Sequence, residues 1–288
     1  MDTNQSARGA GVATFLALTV AISSIFYAPI ILTGNVAGAG GLYVAGLMWS
    51  PGIAAILTTI LRRDDFAAFG WGWGDWRWNL RAYLIPSGYA AAAYLGVWLT
   101  GLGTFAPPES VAAIGGKLGW SGLPAAFVVA GYVALAATAG MVHGTAFALG
   151  EEIGWRGFLA PRLMRRFGFV AGTIVTALIW AAWHVPILLF ADYNGGTPWW
   201  YSLSCFTLLV LGSSFTLSWI RLRSNSVWPC AILHASHNLF IQTIFNPLTG
   251  PSGAVTPYAI GEFGFALVVT LGGVAIWCIA HRPDPAHA

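Results

Sequence analysis

The chain has 288 residues, of which 57% are hydrophobic and only 8% are charged, and its mean hydropathy is +0.70. Because a soluble domain carries about 25% charged residues, this composition excludes an ordinary soluble domain and predicts a polytopic membrane protein. The formal net charge of +3 is too small to suggest nucleic-acid binding. The three cysteines stand singly in apolar segments and form no CxxC pair, so we expect small buried hydrophobic side chains at Cys205, Cys230 and Cys278.

Eight stretches are long and apolar enough to cross a bilayer, which takes about 20 mainly apolar residues. In chain order, the predicted spans are Gly11–Thr33, Gly41–Leu61, Tyr83–Leu102, Leu123–Leu149, Gly168–Phe190, Tyr201–Ile220, Val227–Phe245 and Tyr258–Ala280. The connections between them are rich in Gly, Asn and Pro. The sequence therefore predicts an all-α fold, a membrane bundle of about eight transmembrane helices.

The basic residues support this span count. Every arginine precedes the first span or follows an even-numbered one, whereas the single lysine, Lys117, follows the third. Since cytoplasmic loops are enriched in Lys and Arg, both termini are predicted to be cytoplasmic. The short loops favour an integral protein of a bacterial plasma membrane.

The chain divides into four predicted parts. Residues 1–10 form a cytoplasmic tail, and residues 11–122 hold three transmembrane helices with a Trp-rich loop. Residues 123–245 form the candidate core, and residues 246–288 add the last helix and a tail. The loop's four tryptophans favour an interfacial anchor, with substrate gating as the alternative: Trp71, Trp73, Trp76 and Trp78.

Two adjacent acids stand at the end of the fourth span, Glu151 and Glu152, with Arg156 following. Ionisable groups inside a bilayer are costly and usually mark function. Glu152 and Arg156 are four residues apart, so on a helix they share a face, whereas Glu151 points about 100° away. An interfacial ion pair that ends the helix is the structural alternative. His143, about two turns earlier, is expected to be a packing or cavity residue, with a proton path as the lesser reading.

Further polar residues lie in two other apolar spans. His184 lies just before Pro186, which bends or ends the fifth span. His234 and Asn238 are spaced to share one face of the seventh span, and His237 lies between them. Taken singly, each of these residues is explained by helix–helix hydrogen bonding. Together with the acids, they suit general acid/base work on water and stabilisation of an oxyanion.

Three motifs in this order resemble the CPBP intramembrane proteases, which include the type II CAAX prenyl endopeptidases and bacteriocin-immunity-like Abi proteins. The motifs are Glu-Glu-x-x-x-Arg at Glu151–Arg156, aromatic-x-x-x-His at Trp180–His184, and His-x-x-x-Asn at His234–Asn238. They cover less than a third of the chain. Trp180 is a departure, because Phe is more common there in the family; it keeps an aromatic wall.

The resemblance implies an α-helical fold with a cavity open to the cytoplasmic leaflet and peptide-bond hydrolysis in or near the membrane. In this scheme Glu151 activates water, and His184 helps to hold it. His234 and Asn238 stabilise the oxyanion, while Glu152 and Arg156 orient the site. The implied partners are the lipid bilayer and a peptide or membrane-anchored protein substrate.

The cofactor is left open by the residues. Zinc accepts His and carboxylate ligands, and Glu151, His184 and His234 would supply three. The chain lacks His-Glu-x-x-His, and Asn238 suits an oxyanion donor better than a metal ligand, so hydrolysis without a metal is favoured. Two other functions stay open: a transporter with a Glu/His proton relay, and a non-catalytic immunity or scaffold protein of the same fold.

Overall fold

The computed structural model describes residues 3–36, 38 and 40–283, and its architecture is a helical bundle. The helices are α1 (Thr3–Thr33), α2 (Gly41–Arg62), α3 (Trp76–Leu99), α4 (Pro108–Leu118), α5 (Ala125–Leu135), α6 (Met141–Glu152), α7 (Ala160–Phe190), α8 (Trp199–Ser224), α9 (Trp228–Asn238), α10 (Thr256–Ala259) and α11 (Phe265–Ala280). Wider π-helical turns occupy Ala136–Gly140, Ile153–Leu159 and Leu239–Phe245, and a 3₁₀ turn spans Phe66–Phe69. The prediction of an all-α membrane bundle is confirmed.

The outer surface of the bundle has the character of a membrane protein. Helices at Gly11–Thr33, Gly41–Arg62, Ala125–Phe190 and Trp199–Ser224 are long and apolar enough to cross a bilayer. Large apolar side chains face outward, with Leu32 and Leu99 more than four-fifths exposed. Many threonine and serine hydroxyls donate to the carbonyl four residues earlier, which satisfies them without water. The eight-span topology and its orientation stay predictions.

The connections differ from the predicted loops in three places. Residues 125–190 form one continuous helical path, broken only by the left-handed backbone of Gly168, so the expected loop after Glu152 is helical and Arg156 is buried. A two-stranded antiparallel sheet joins β1 (Gly103–Phe105) to β2 (Thr249–Pro251), with Thr104 opposite Gly250. The last long helix begins only at Phe265.

Helices α2 and α6 approach closely through small residues. A Cβ on Gly52 would lie 2.5 Å from the carbonyl oxygen of Gly150, and one on Gly150 would lie 2.7 Å from the Cα of Trp49. One turn later, a Cβ on Gly154 would lie 2.5 Å from Pro51. Small residues let backbones pack directly in membrane bundles, where apolar burial drives association little. This contact fixes the end of α6, where the two acids lie.

The other helices complete a wall around the acids. Helix α6 packs on α9, α9 on α3, α7 on α8, and α11 on both α8 and α3.

The three cysteines are free and buried, as expected. In the Trp-rich loop, Trp73 and Trp76 are exposed, and the backbone carbonyl of Trp71 accepts a hydrogen bond from Trp228. The anchoring role of this loop stays a prediction.

Candidate active site

The predicted catalytic residues line one cavity of about 180 Å³ between α1, α2, α6, α7, α8 and α9. Its wall includes Glu151, His184, His234 and Asn238. Glu152 and Arg156 lie directly behind the wall and are fully buried. The three separated motifs therefore meet at one place. The wall also uses residues from outside the predicted core of residues 123–245, including Ile30 of α1 and Met48 of α2.

Glu151 is buried and is held by indole donors. Its Oε2 accepts hydrogen bonds from Trp180 Nε1 at 2.8 Å and from Trp155 Nε1 at 3.3 Å. Trp155 lies one turn later in the π-helical segment, and Trp180 comes from α7. Both donors are neutral, so they orient the carboxylate without supplying a positive charge. Trp180 is thus more than the aromatic wall that the sequence indicated.

Glu152 carries the predicted ion pair with Arg156. Nη1 of Arg156 lies 3.2 Å from Glu152 Oε1, and Nη2 donates to Ser214 of α8 at 3.0 Å. The guanidinium also lies 4.2 Å from the centroid of the Trp180 ring, a cation–π contact. A buried carboxylate needs such partners, because an isolated charge in a low-dielectric interior is very costly.

His234 shares the same carboxylate. Its Nδ1 lies 2.8 Å from Glu152 Oε1, so Glu152 joins α6 to α9. The His234 ring also meets the Trp180 ring edge-on at a centroid distance of 5.4 Å. Because a carboxylate can only accept, Nδ1 carries the proton and Nε2 is left for another partner.

The tautomer of His184 follows from its backbone partner. Its Nδ1 lies 3.0 Å from the carbonyl oxygen of Trp180. A carbonyl can only accept, so Nδ1 is protonated and a neutral ring presents Nε2 as an acceptor. The ring is fixed between Trp183 and Phe206, each at a centroid distance of 4.8 Å. His184 can therefore accept a hydrogen bond from a water molecule in the cavity.

A second polar cluster in the same wall was missed by the sequence reasoning. Glu262 precedes α11, and its Oε2 accepts a hydrogen bond from Tyr193 at 2.6 Å. Its Oε1 lies 3.5 Å from Nε2 of His237, whose Nδ1 lies 2.6 Å from the Tyr89 hydroxyl. The sequence did contain a signal for this cluster. Glu262 is a lone acid inside the predicted eighth span, and burying its charge in a membrane is costly, as it is for Glu151 and Glu152.

His143 does not join this site. Its ring packs on Phe147 at a centroid distance of 4.5 Å, and it lines a separate depression with Asp192. The packing interpretation therefore accounts for its observed contacts.

The arrangement of these side chains does not match a zinc site. Among the described residues, no three His, Cys, Asp or Glu side chains form a group able to hold a metal ion. Nδ1 of His234 and Oε2 of Glu151 are already engaged by protein partners. The suggested zinc ligands Glu151, His184 and His234 share a wall without forming a coordination site among the described residues.

Residues 133–240 match the family model described as type II CAAX prenyl endopeptidase Rce1-like. Over this segment the chain is similar to the CPBP family proteases. CAAX prenyl protease 2 from Methanococcus maripaludis is 28% identical over 96 residues, which are 31% of this chain and 34% of that protein. The chain thus matches about a third of the length of this curated relative.

The matched segment contains all the residues proposed for the site, from Glu151 to Asn238. It lies inside the predicted core of residues 123–245. Glu262 and Tyr89 lie outside it, so the second polar cluster is completed by parts of the chain that the family match does not cover.

Proposed function

We propose that this chain is an intramembrane endopeptidase that hydrolyses peptide bonds of membrane-associated, CAAX-like substrates. The observation that carries the proposal is the convergence of Glu151, His184, His234 and Asn238 on one cavity wall. The family match and the name of the relative, CAAX prenyl protease 2, support the same reaction class.

Water is the nucleophile in this mechanism. Glu151 accepts a proton from the water as its oxygen attacks the peptide carbonyl carbon. His184 orients the water through the acceptor Nε2. When the C–N bond breaks, the proton on Glu151 passes to the leaving nitrogen. The products are a carboxylic acid and an amine, and Glu151 returns to the carboxylate.

The oxyanion is stabilised by the α9 side of the cavity. The Asn238 amide donates one hydrogen bond, and His234 Nε2 donates another. Since Nδ1 of His234 already donates to Glu152, donation from Nε2 needs the doubly protonated ring. Glu152 is the counter-ion of that imidazolium. The buried Glu152–Arg156 pair therefore serves as the support of His234, and Glu151 is left for the water.

The test compares membranes of cells that make the wild type or the Glu151→Gln protein, by mass spectrometry of peptide termini. We expect a set of new termini in wild-type membranes that the variant lacks. The control is Glu109→Gln, because Glu109 is an exposed acid on α4 and does not line the cavity. Glu109→Gln should leave the termini unchanged.

Identical termini for wild type and Glu151→Gln would contradict the proposal. Loss of a substrate flux in proteoliposomes, without any change in termini, would instead support a proton-coupled transporter. Survival of a protective or binding activity in Glu151→Gln would support a non-catalytic protein of the same fold.

A further inference from the structure

A groove on the outside of the bundle is separate from the active-site cavity. It lies between α3, α8 and α11 and has a volume of about 780 Å³. The surface of its wall is mainly apolar and includes Leu84, Ile85 and Val274. In a membrane protein, an apolar groove of this kind faces acyl chains.

Two glycines keep the groove open. A Cβ built on Gly88 or on Gly273 would meet no other atom within 4 Å, and both residues line the groove. The space beside them is therefore available to another molecule, and the protein does not need it for its own packing.

One end of the groove is aromatic and cationic. Trp219 contacts Trp78 at a centroid distance of 5.5 Å and Trp277 at 5.1 Å. The Arg81 guanidinium lies 4.5 Å from the Trp78 ring centroid, and that of Arg223 lies 5.6 Å from the Trp219 centroid. The contiguous tryptophans therefore bring two guanidinium groups to the same end.

Neither guanidinium has an acidic partner in the part of the chain that the structure describes. The ion pairs formed there by arginine involve Arg156 and Arg162. Arg223 donates a hydrogen bond to the carbonyl oxygen of His281. Charges that lack a counter-ion among the described residues, beside an apolar groove, complement a ligand with an anionic head and a hydrocarbon tail.

We propose that the α3–α8–α11 groove binds an anionic phospholipid, with its phosphate at Arg81 and Arg223 and an acyl chain along Gly88 and Gly273. Guanidinium groups match phosphate oxygens through paired hydrogen bonds. Tryptophans prefer the headgroup level of the membrane, which agrees with their position at the cationic end. A zwitterionic lipid would bring its own cation to this end, and that cation would cancel most of the attraction between the lipid and the two arginines.

The experiment measures binding of dioleoyl phosphatidylglycerol and dioleoyl phosphatidylcholine to the full chain by native mass spectrometry from detergent. At about fivefold for each basic side chain near an anionic lipid, two arginines predict a preference of about 25-fold for phosphatidylglycerol. Arg81→Gln with Arg223→Gln should bring this preference close to one. Arg77→Gln, at an exposed position on the first turn of α3, should preserve it.

A steric variant tests the tail. Gly273→Leu should weaken binding of both lipids at least tenfold, because the side chain enters the groove. Gly272→Leu is the matched control, since a Cβ there also meets no atom within 4 Å but Gly272 does not line the groove. Equal binding of the two lipids by the wild type would overturn the proposal. So would an unchanged preference in the double arginine variant, or an unaltered affinity in Gly273→Leu.

Discussion

The active-site cavity has two acidic groups in its wall, Glu151 and Glu262, and they are held in different ways. The partners of Glu151 are two indole N–H groups, one of them on the next turn of the same helical path. The partners of Glu262 are a phenol and an imidazole from distant parts of the chain, Tyr193 and His237. Two neutral indoles, one of them local, orient Glu151, whereas Glu262 joins a phenol and an imidazole from separate elements.

This difference separates a chemical role from an architectural one. The neighbouring carboxylate, Glu152, forms the ion pair with Arg156, whose guanidinium is the only one at this site among the described residues. Glu151 therefore faces the cavity without a cationic partner of its own and can exchange a proton with water. Glu262 belongs to a chain of contacts that reaches Tyr89 on α3 through His237, so its loss should loosen the bundle more than it alters proton transfer.

The largest effect is expected for Arg156→Ala. It leaves Glu152 with His234 as its remaining charged partner in a fully buried position, and breaking a buried pair in this way costs about 3–5 kcal/mol. The free energy of unfolding, measured by SDS titration, should fall by this amount, and cleavage should be lost. Arg77→Ala, an exposed arginine on α3, is the control and should change neither quantity. Equal effects of the two substitutions would remove the support role assigned to the Glu152–Arg156 pair.

A smaller effect on stability is expected for Glu262→Gln. The amide oxygen can still accept from Tyr193, but the contact between a carboxylate and His237 is lost, so the free energy of unfolding should fall by about 1–3 kcal/mol. Cleavage by the folded fraction should stay within about tenfold of the wild type, one decade of rate being about 1.4 kcal/mol. A variant with normal stability and no cleavage would contradict the architectural role, because Glu262 would then act in the chemistry.

The same comparison explains what the sequence could predict. Glu152 and Arg156 pair at i and i+4, so helical spacing alone gave their contact, and the motif order gave the convergence of Glu151, His184 and His234. Glu262 could not be placed in this way. Its position depends on the turn before Phe265 and on partners at residues 89, 193 and 237, which no local periodicity connects.

The loop predicted after Glu152 was wrong for a different reason. Arginines after an apolar span predict a solvated loop, but the helix here continues through a π-helical segment, Ile153–Leu159, into α7. Such segments frequently mark functional sites, because they widen the helix and shift the side chains that follow. No residue pattern in this stretch distinguishes that path from a loop.

The smallest effect is expected for Trp180→Phe, which removes one of the two neutral hydrogen-bond donors of Glu151. The ring remains beside Arg156 and His234, so the aromatic wall and its packing are largely kept. The 2.8 Å hydrogen bond to Glu151 is lost, while Trp155 still donates to the same oxygen. One hydrogen bond to a charged group is worth about 1.5–3 kcal/mol, and the remaining donor limits the loss. We therefore expect kcat to fall by about tenfold or less, because the carboxylate is less firmly oriented toward the water. A kcat equal to that of the wild type would mean that Trp180 acts only as a wall, which is the role its aromatic character alone indicated.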